Sequence, residues 1–519
     1  MKKYRWIWIA IFAMACKKNT PEHFMEISTP QLLTREAMDQ KIMQELHRNG
    51  TFEWKNQTAN LIWNAMILSD GMMTIGYAPS TAFFKETQMH LVDLEQTEWA
   101  KTKTSLIALV LASEKELFPK ITIDSIMPWS ENVLPLLNVR VRNIQTIYRL
   151  QKRDDVRYVE PTAYEPAFGN PTRKRFEDEG QVIQSESGCG SNQPAQQLYS
   201  PRDYVVISPS SKQSWNMNAN GIPQAWQRVA GRGVKIFLID TGVSPEQDNL
   251  STGFSQGSSL GRMIEKKVTL PRATFLGIPT GPVETVDDGC GHGTSMAGVC
   301  VAPRGTDGAV CGVAYQSDLI SCRAAADVFL DESRETKGVA DAFVMAGGRT
   351  DVKIISMSMG RVTSSSQIRD AVLYAHGKGK LIFCAAGTSL SWTSGWAGVI
   401  FPASMDQVNA ITGVYESNIN LSCSSCHDGP ETDFTIVMEK PEPNAHPLTL
   451  ADWGDYPSTV GGSSVATATA AGIAALVWSK YPTWSASMVR DKLIQSSMNY
   501  PYRNAQLGWG LMNAEKATR

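Results

Sequence analysis

The chain lacks a charge surplus of either sign: its 519 residues carry 49 Lys and Arg against 51 Asp and Glu, a formal net charge of -2. A nucleic-acid or anionic-membrane surface needs clustered positive charge, so this balance argues for neither partner. Beyond the first residues there is no uninterrupted apolar run long enough to cross a bilayer. Internal repeats and low-complexity arrays are also missing. Histidine is scarce, 7 in all, so a His in a special setting is informative. The length exceeds one hydrophobic core, and two or three domains are expected.

What is present begins at the N-terminus. Lys2, Lys3 and Arg5 precede an apolar stretch from Trp6 to Ala15, the pattern of a secretory signal. Ala13-x-Ala15 fits ordinary signal cleavage, while Ala13-Met14-Ala15-Cys16 resembles a bacterial lipobox, in which the Cys is lipidated. The lipoprotein reading is favoured, with lipidation at Cys16 and Lys17-Lys18-Asn19 as a polar tether. The chain is thus expected to be exported, as an outer-envelope or cell-surface lipoprotein whose only membrane contact is that anchor, or alternatively as a secreted protein. Setting Cys16 aside leaves eight cysteines, an even number that suggests disulfides in an oxidising compartment. Connectivity does not follow from sequence, apart from a local pair Cys423 with Cys426. Cys300, Cys322 and Cys384 lie in apolar segments and read equally as buried thiols.

Three segments carry chemistry. Val234–Ile239 is a branched apolar run, read as a strand buried on both faces, and Asp240 ends it beside Gly242. His292 stands between two glycines and opens a stretch of small residues, a setting in which it can act as a general base near a carboxylate. Ser464 follows Gly461-Gly462 and starts a helical stretch to Lys480, so main-chain N–H groups and the positive helix end face its hydroxyl. Each residue alone has an ordinary explanation: a turn Asp, a structural His, an N-cap Ser. All three in one chain point to a hydrolase triad with an oxyanion site.

With these motifs in the order Asp, His, Ser, the chain resembles the subtilisin-like serine proteases. The resemblance extends from Trp215–Gly233 through Gly312-Val313-Ala314, Ile354–Gly360 and Val399–Ala403 to the closing Gly508–Ala514. It implies an α/β, three-layer subtilisin-like domain with a mainly parallel central sheet over residues 206–519. It also implies catalytic roles for Asp240, His292 and Ser464, and an extended peptide bound along Ser356, Met357, Ser358, Met359 and Gly360. The family's oxyanion side chain is an Asn; here Ala385-Ala386-Gly387 is followed by Thr388, a donor of shorter reach. A weakened subtilase serving as a surface binding module is the alternative reading, and Thr388 is the one feature in its favour. No cofactor is required by the implied chemistry. Structural calcium, frequent in the family, matches no ligand set here residue by residue.

The remaining segments are read as follows. Residues 1–15 form the signal, 16–165 a propeptide region, and 166–205 a polar linker bearing Arg173-Lys174-Arg175. Within the propeptide region a helix opens at Ser28-Thr29-Pro30, with Leu33, Met38, Ile42 and Leu46 on one face and Gly50 as its stop. Leu106–Ala112 and Val133–Val141 are expected as strands, Ile144–Arg153 as a helix and Val156–Val159 as a strand. This ending, closing on Arg157–Pro161, resembles the family's small α+β inhibitory prodomain, which makes the chain's own prodomain a partner beside polypeptide substrates. Cys423-x-x-Cys426-His427 is a literal haem-attachment string, but a local disulfide or a metal-binding loop fits its short, loop-like surroundings better.

Overall fold

Thr34 opens the first helix of the computed structural model: its hydroxyl accepts the N–H of Ala37 at 3.3 Å. The structure describes residues 31–166, 189–190, 192–275, 278–388, 398–442 and 445–519. The signal, Cys16, Ser28–Pro30 and Arg173–Arg175 lie outside them. Helix α1 (Arg35–Asn49) buries Met38, Ile42 and Leu46 and ends at Gly50, as the apolar spacing predicts, but Leu33, expected on the same face, precedes its Thr34 cap. There follow α2 (Ala59–Leu68), β1 (Met72–Tyr77), α3 (Thr97–Lys115), β2 (Leu136–Arg140), α4 (Ile144–Leu150) and β3 (Val156–Pro161). The strands form an antiparallel sheet in the order β2-β1-β3. Leu106–Ala112, expected as a strand, is instead the middle of α3. A short apolar run cannot separate a strand from a buried helix turn. Here Trp99, Thr102, Leu106 and Val110 recur at helical spacing and carry the burial.

The second sheet has seven strands, all parallel. In chain order its elements are β4 (Lys235–Asp240), β5 (Ile264–Val268), α5 (His292–Val301), β6 (Asp318–Arg323), α6 (Ser333–Gly348), β7 (Val352–Met357), α7 (Ser366–Gly377), β8 (Leu381–Ala385), β9 (Asn409–Tyr415), β10 (Thr432–Glu439), α8 (Gly462–Lys480) and α9 (Ala486–Ser496). The spatial order is β10-β9-β8-β7-β4-β6-β5. Helices cover both faces, so β4 is apolar from Ile236 to Ile239. Ile236 and Leu238 join one core with residues of α5 and α8, and Phe237 and Ile239 join the other with residues of α6 and α7. This is the expected three-layer subtilisin-like α/β fold. Helix α8 is long and apolar enough to cross a bilayer by composition, yet it is buried within the molecule. A helix apolar all round belongs in a core.

Residues Leu33–Arg519 form one compact unit. The three-stranded sheet meets α6 and α7 through polar contacts at their N-terminal ends. Ser333 of α6 donates to Asp70 at 2.8 Å, and Glu160 of β3 accepts the N–H of Ser366, the first residue of α7, at 2.7 Å. A carboxylate there meets orphan donors and the positive end of the helix dipole. Arg157 and Tyr158 both reach Asp370 of α7, the tyrosine hydroxyl at 2.9 Å.

Candidate active site

The chain crosses from β6 to β7 over β4, so the two strands beside β4 mark the switch point at which open parallel sheets form clefts. Asp240 ends β4 at this point and is fully buried. Its Oδ1 accepts the N–H of Thr241 at 2.9 Å and lies 2.7 Å from Nδ1 of His292, the first residue of α5. Asp288 holds the two elements in register. It accepts the N–H groups of Gly291 and Thr294, both at 2.8 Å, and the hydroxyl of Thr241, also at 2.8 Å. Gly291 precedes His292 with φ +83°, and a Cβ there would lie 2.9 Å from the carbonyl of Gly190. Burial alone would depress the imidazole, but the charge of Asp240 and its hydrogen bond outweigh it, and His292 titrates above its ordinary 6.5.

Ser464 lies in the first turn of α8, a helix packed against α5. Its hydroxyl donates to the carbonyl of Ser358 at 3.2 Å, and the hydroxyl of Ser358 returns a bond to the carbonyl of Ser464 at 2.9 Å. Met357 pairs with Ile239, so Ser358 stands level with Asp240 in the next strand. The structure thus places Asp240 with His292, and Ser464 through Ser358, at the C-terminal end of two adjacent central strands. Ser463 beside it is buried and Ser464 only half-buried, which leaves Ser464 as the reachable hydroxyl. Thr388 faces the same turn. Its Oγ1 accepts the N–H of Ser463 at 3.3 Å and lies 3.1 Å from the Ser463 hydroxyl, which accepts the N–H of Gly387 at 3.2 Å. Gly462 permits this approach: it has φ +83°, and a Cβ would stand 2.9 Å from Thr388 Oγ1.

The expected peptide-binding run is more occupied than the sequence suggests. Ser356 and Met357 sit inside β7, paired on both sides. Gly360 donates its N–H to Val328 at 3.1 Å and accepts the N–H of Leu330 at 3.0 Å. Ser358 and Met359 remain as the stretch between these ladders.

Two disulfides flank the site. Cys423 pairs with Cys426, so both sulfurs of the haem-like string are spent on each other, and His427 binds the carbonyl of Gly398 at 3.0 Å. This loop backs the Gly387–Thr388 turn: Cys426 pairs with Thr388, and His427 donates its N–H to Gly387 at 2.9 Å. Cys189 joins Cys290, two residues before His292. Cys300, Cys311, Cys322 and Cys384 are buried free thiols, so the even cysteine count overstated the bridges. Burial pushes Cys300 and Cys322 up to about 12. Among the described residues no three His, Cys, Asp or Glu gather as a metal cluster. Sequence reasoning missed Ser463, Asp288 and the pair Cys189–Cys290. The doubled serine was the visible signal for the first; the others depend on the fold.

A buried Asp–His pair thus lies at a parallel-sheet switch point, with a half-buried serine at the start of α8 bonded to the strand beside it. The subtilase family model (peptidase S8) matches residues 231–510, and the chain belongs to that family of serine proteases. It is 30% identical over 306 residues to alkaline elastase YaB of Bacillus sp. (strain YaB), covering 59% of this chain and 70% of the relative. It is 28% identical over 323 residues to M-protease of Shouchella clausii (strain KSM-K16), covering 62% and 74% respectively. With subtilisin Savinase of Lederbergia lenta it shares 29% identity over 307 residues, 59% of this chain and 98% of that one.

Proposed function

We propose that the chain is an exported serine endopeptidase made as a self-inhibited precursor. Ser464 attacks the scissile carbonyl of a polypeptide. His292 takes its proton and passes it to the leaving amine, and Asp240 orients the ring and supports the imidazolium. The N–H of Ser464 and the hydroxyl of Thr388 receive the oxyanion. These steps need only side chains and main chain. The carrying observation is the 2.7 Å contact between Asp240 and His292 at the strand end level with Ser358, the residue that binds Ser464. In this reading the donation of Ser464 to Ser358 is the resting arrangement, and the bond to His292 forms when substrate takes the Ser358 carbonyl.

The precursor reading draws on the docking of residues 33–166 against α6 and α7. The described chain reaches Pro166 near Arg361 and resumes at Cys189, bonded beside His292. Export, with lipidation at Cys16, rests on the N-terminal sequence. A serine-directed fluorophosphonate should label Ser464 in the processed enzyme, which should hydrolyse casein. Ser464→Ala should stay unlabelled and accumulate uncut, while the wild type is cut between Pro166 and Cys189. An active wild type that remains full length sinks the precursor reading, and an unlabelled, inactive wild type sinks the enzyme.

A further inference from the structure

Arg361 follows Gly360 directly, and its side chain is wholly buried. A buried guanidinium must be paired. Thr336 and Thr363 hold it from its own side, with their hydroxyls at 3.2 and 3.1 Å. The other partners come from the N-terminal region. Nε donates to Glu165 at 2.9 Å, and the two terminal nitrogens reach the carbonyls of Thr162 and Tyr164 at 3.4 Å each. Glu165 is itself buried, and it also accepts the N–H of Val362 at 2.8 Å, the N–H of Thr363 at 3.2 Å and the Thr363 hydroxyl. One carboxylate thus meets a guanidinium, two main-chain N–H groups and a hydroxyl. All the donors lie on the peptidase side, and the acid lies on the segment that processing would remove.

The position of this site sets its use. Ser358 binds Ser464, and Arg361 lies three residues further along the chain, about 10 Å away at the ordinary rise of a strand. Glu165 precedes the proposed processing cut, so the side chain it stands in for belongs to the N-terminal side of the cleaved bond. Gly360 is already paired with Val328 and Leu330, so main-chain pairing cannot hold a peptide at that level. A side-chain grip at Arg361 can.

We propose that, once the N-terminal region leaves, Arg361 with the N–H groups of Val362 and Thr363 binds an acidic side chain of the substrate, three or four residues before the cleaved bond. This inference rests on the endopeptidase reading above. The substrate carboxylate takes the place of Glu165, and a neutral residue leaves the guanidinium unpaired. Charge-assisted hydrogen bonds of this kind correspond to discrimination of about 10- to 100-fold.

The test uses enzyme processed from the full chain and quenched fluorescent peptides that differ only in Glu, Gln or Lys at the third, and then the fourth, position before the bond. At one of the two positions kcat/KM should be about 10- to 100-fold higher for Glu than for Gln, and lowest for Lys. In Arg361→Gln the Glu-to-Gln ratio should fall toward one, and Thr363→Ala should narrow it less. Equal kcat/KM for all three peptides in the wild type overturns the specificity site and leaves the endopeptidase standing. Failure to cleave any peptide, with Ser464 unlabelled, overturns both. The wild-type comparison decides the matter even if Arg361→Gln does not fold.

Discussion

In the proposed mechanism Thr388 supplies an oxyanion donor, but its hydroxyl already lies against Ser463. To serve the oxyanion it must turn its proton from the Ser463 hydroxyl toward the attacked carbonyl, keeping its lone pair on the Ser463 N–H. Thr388→Val removes both functions while preserving shape. Turnover should fall by about 10- to 100-fold, below the full loss recorded for amide donors, with KM little changed, because the donor acts only in the transition state. Steady-state kinetics on one peptide checks this, and a Val enzyme as fast as the wild type would assign the hole to main chain alone. At this scale the sequence was readable where a residue's setting is local. Asp240 after a branched run, His292 between glycines and Ser464 after two glycines announce themselves. Arg361 does not, since its partner Glu165 lies 196 residues away.

Among elements, β3 and α7 meet at Glu160. Burial raises this carboxyl from 4.5 to about 7, against the hydrogen bonds from Ser366 and the charges of Arg361 and Arg369. Asp370, facing Arg157, Tyr158 and Glu86, is raised to about 6 by burial. The docked state therefore keeps protons that released, hydrated carboxyls give up near their ordinary values. Docking is unaffected by Glu160 below about 4.5, weakens as pH rises from there to about 7, and changes no further above it. After processing, the cleaved N-terminal fragment should co-elute with the catalytic chain at pH 5 and separate from it at pH 8. Glu160→Gln should flatten that difference, and equal retention at both pH values would refute the assignment. The element reading failed at α3 for a related reason. Its apolar stretch faces one small core from a helix, and nothing within Leu106–Ala112 states the shape of the partner surface.

For the molecule as a whole, the sheet was legible from its central strands, where Ile236–Ile239 form a continuous apolar run as both-face burial requires, and not from β5, whose Ile264–Val268 carries Glu265, Lys266 and Lys267. The fit of residues 33–166 on α6 and α7 was not, because it depends on helix ends aligned in space. Nor was the pairing of Cys189 with Cys290, which closes a loop with a sequence separation of 101. Loops of that size are worth about 4–5 kcal/mol in the chain-entropy account, and loss of a native bridge typically costs about 2–5 kcal/mol. Cys189→Ser with Cys290→Ser should lower the thermal midpoint of the processed enzyme by several degrees in calorimetry. An unchanged midpoint would show that the bridge adds nothing to the native state.

The same bridge fixes what a processing cut can accomplish. A break between Pro166 and Cys189, where the proposed precursor would be cut, would make a new chain end held through Cys189 to Cys290, two residues before His292. Such a cut would free the N-terminal region and leave the Asp240–His292 hydrogen bond and the bridge as they are. In the proposed activation the change would fall at Arg361, which loses Glu165, while His292 would keep Asp240 and the neighbouring bridge.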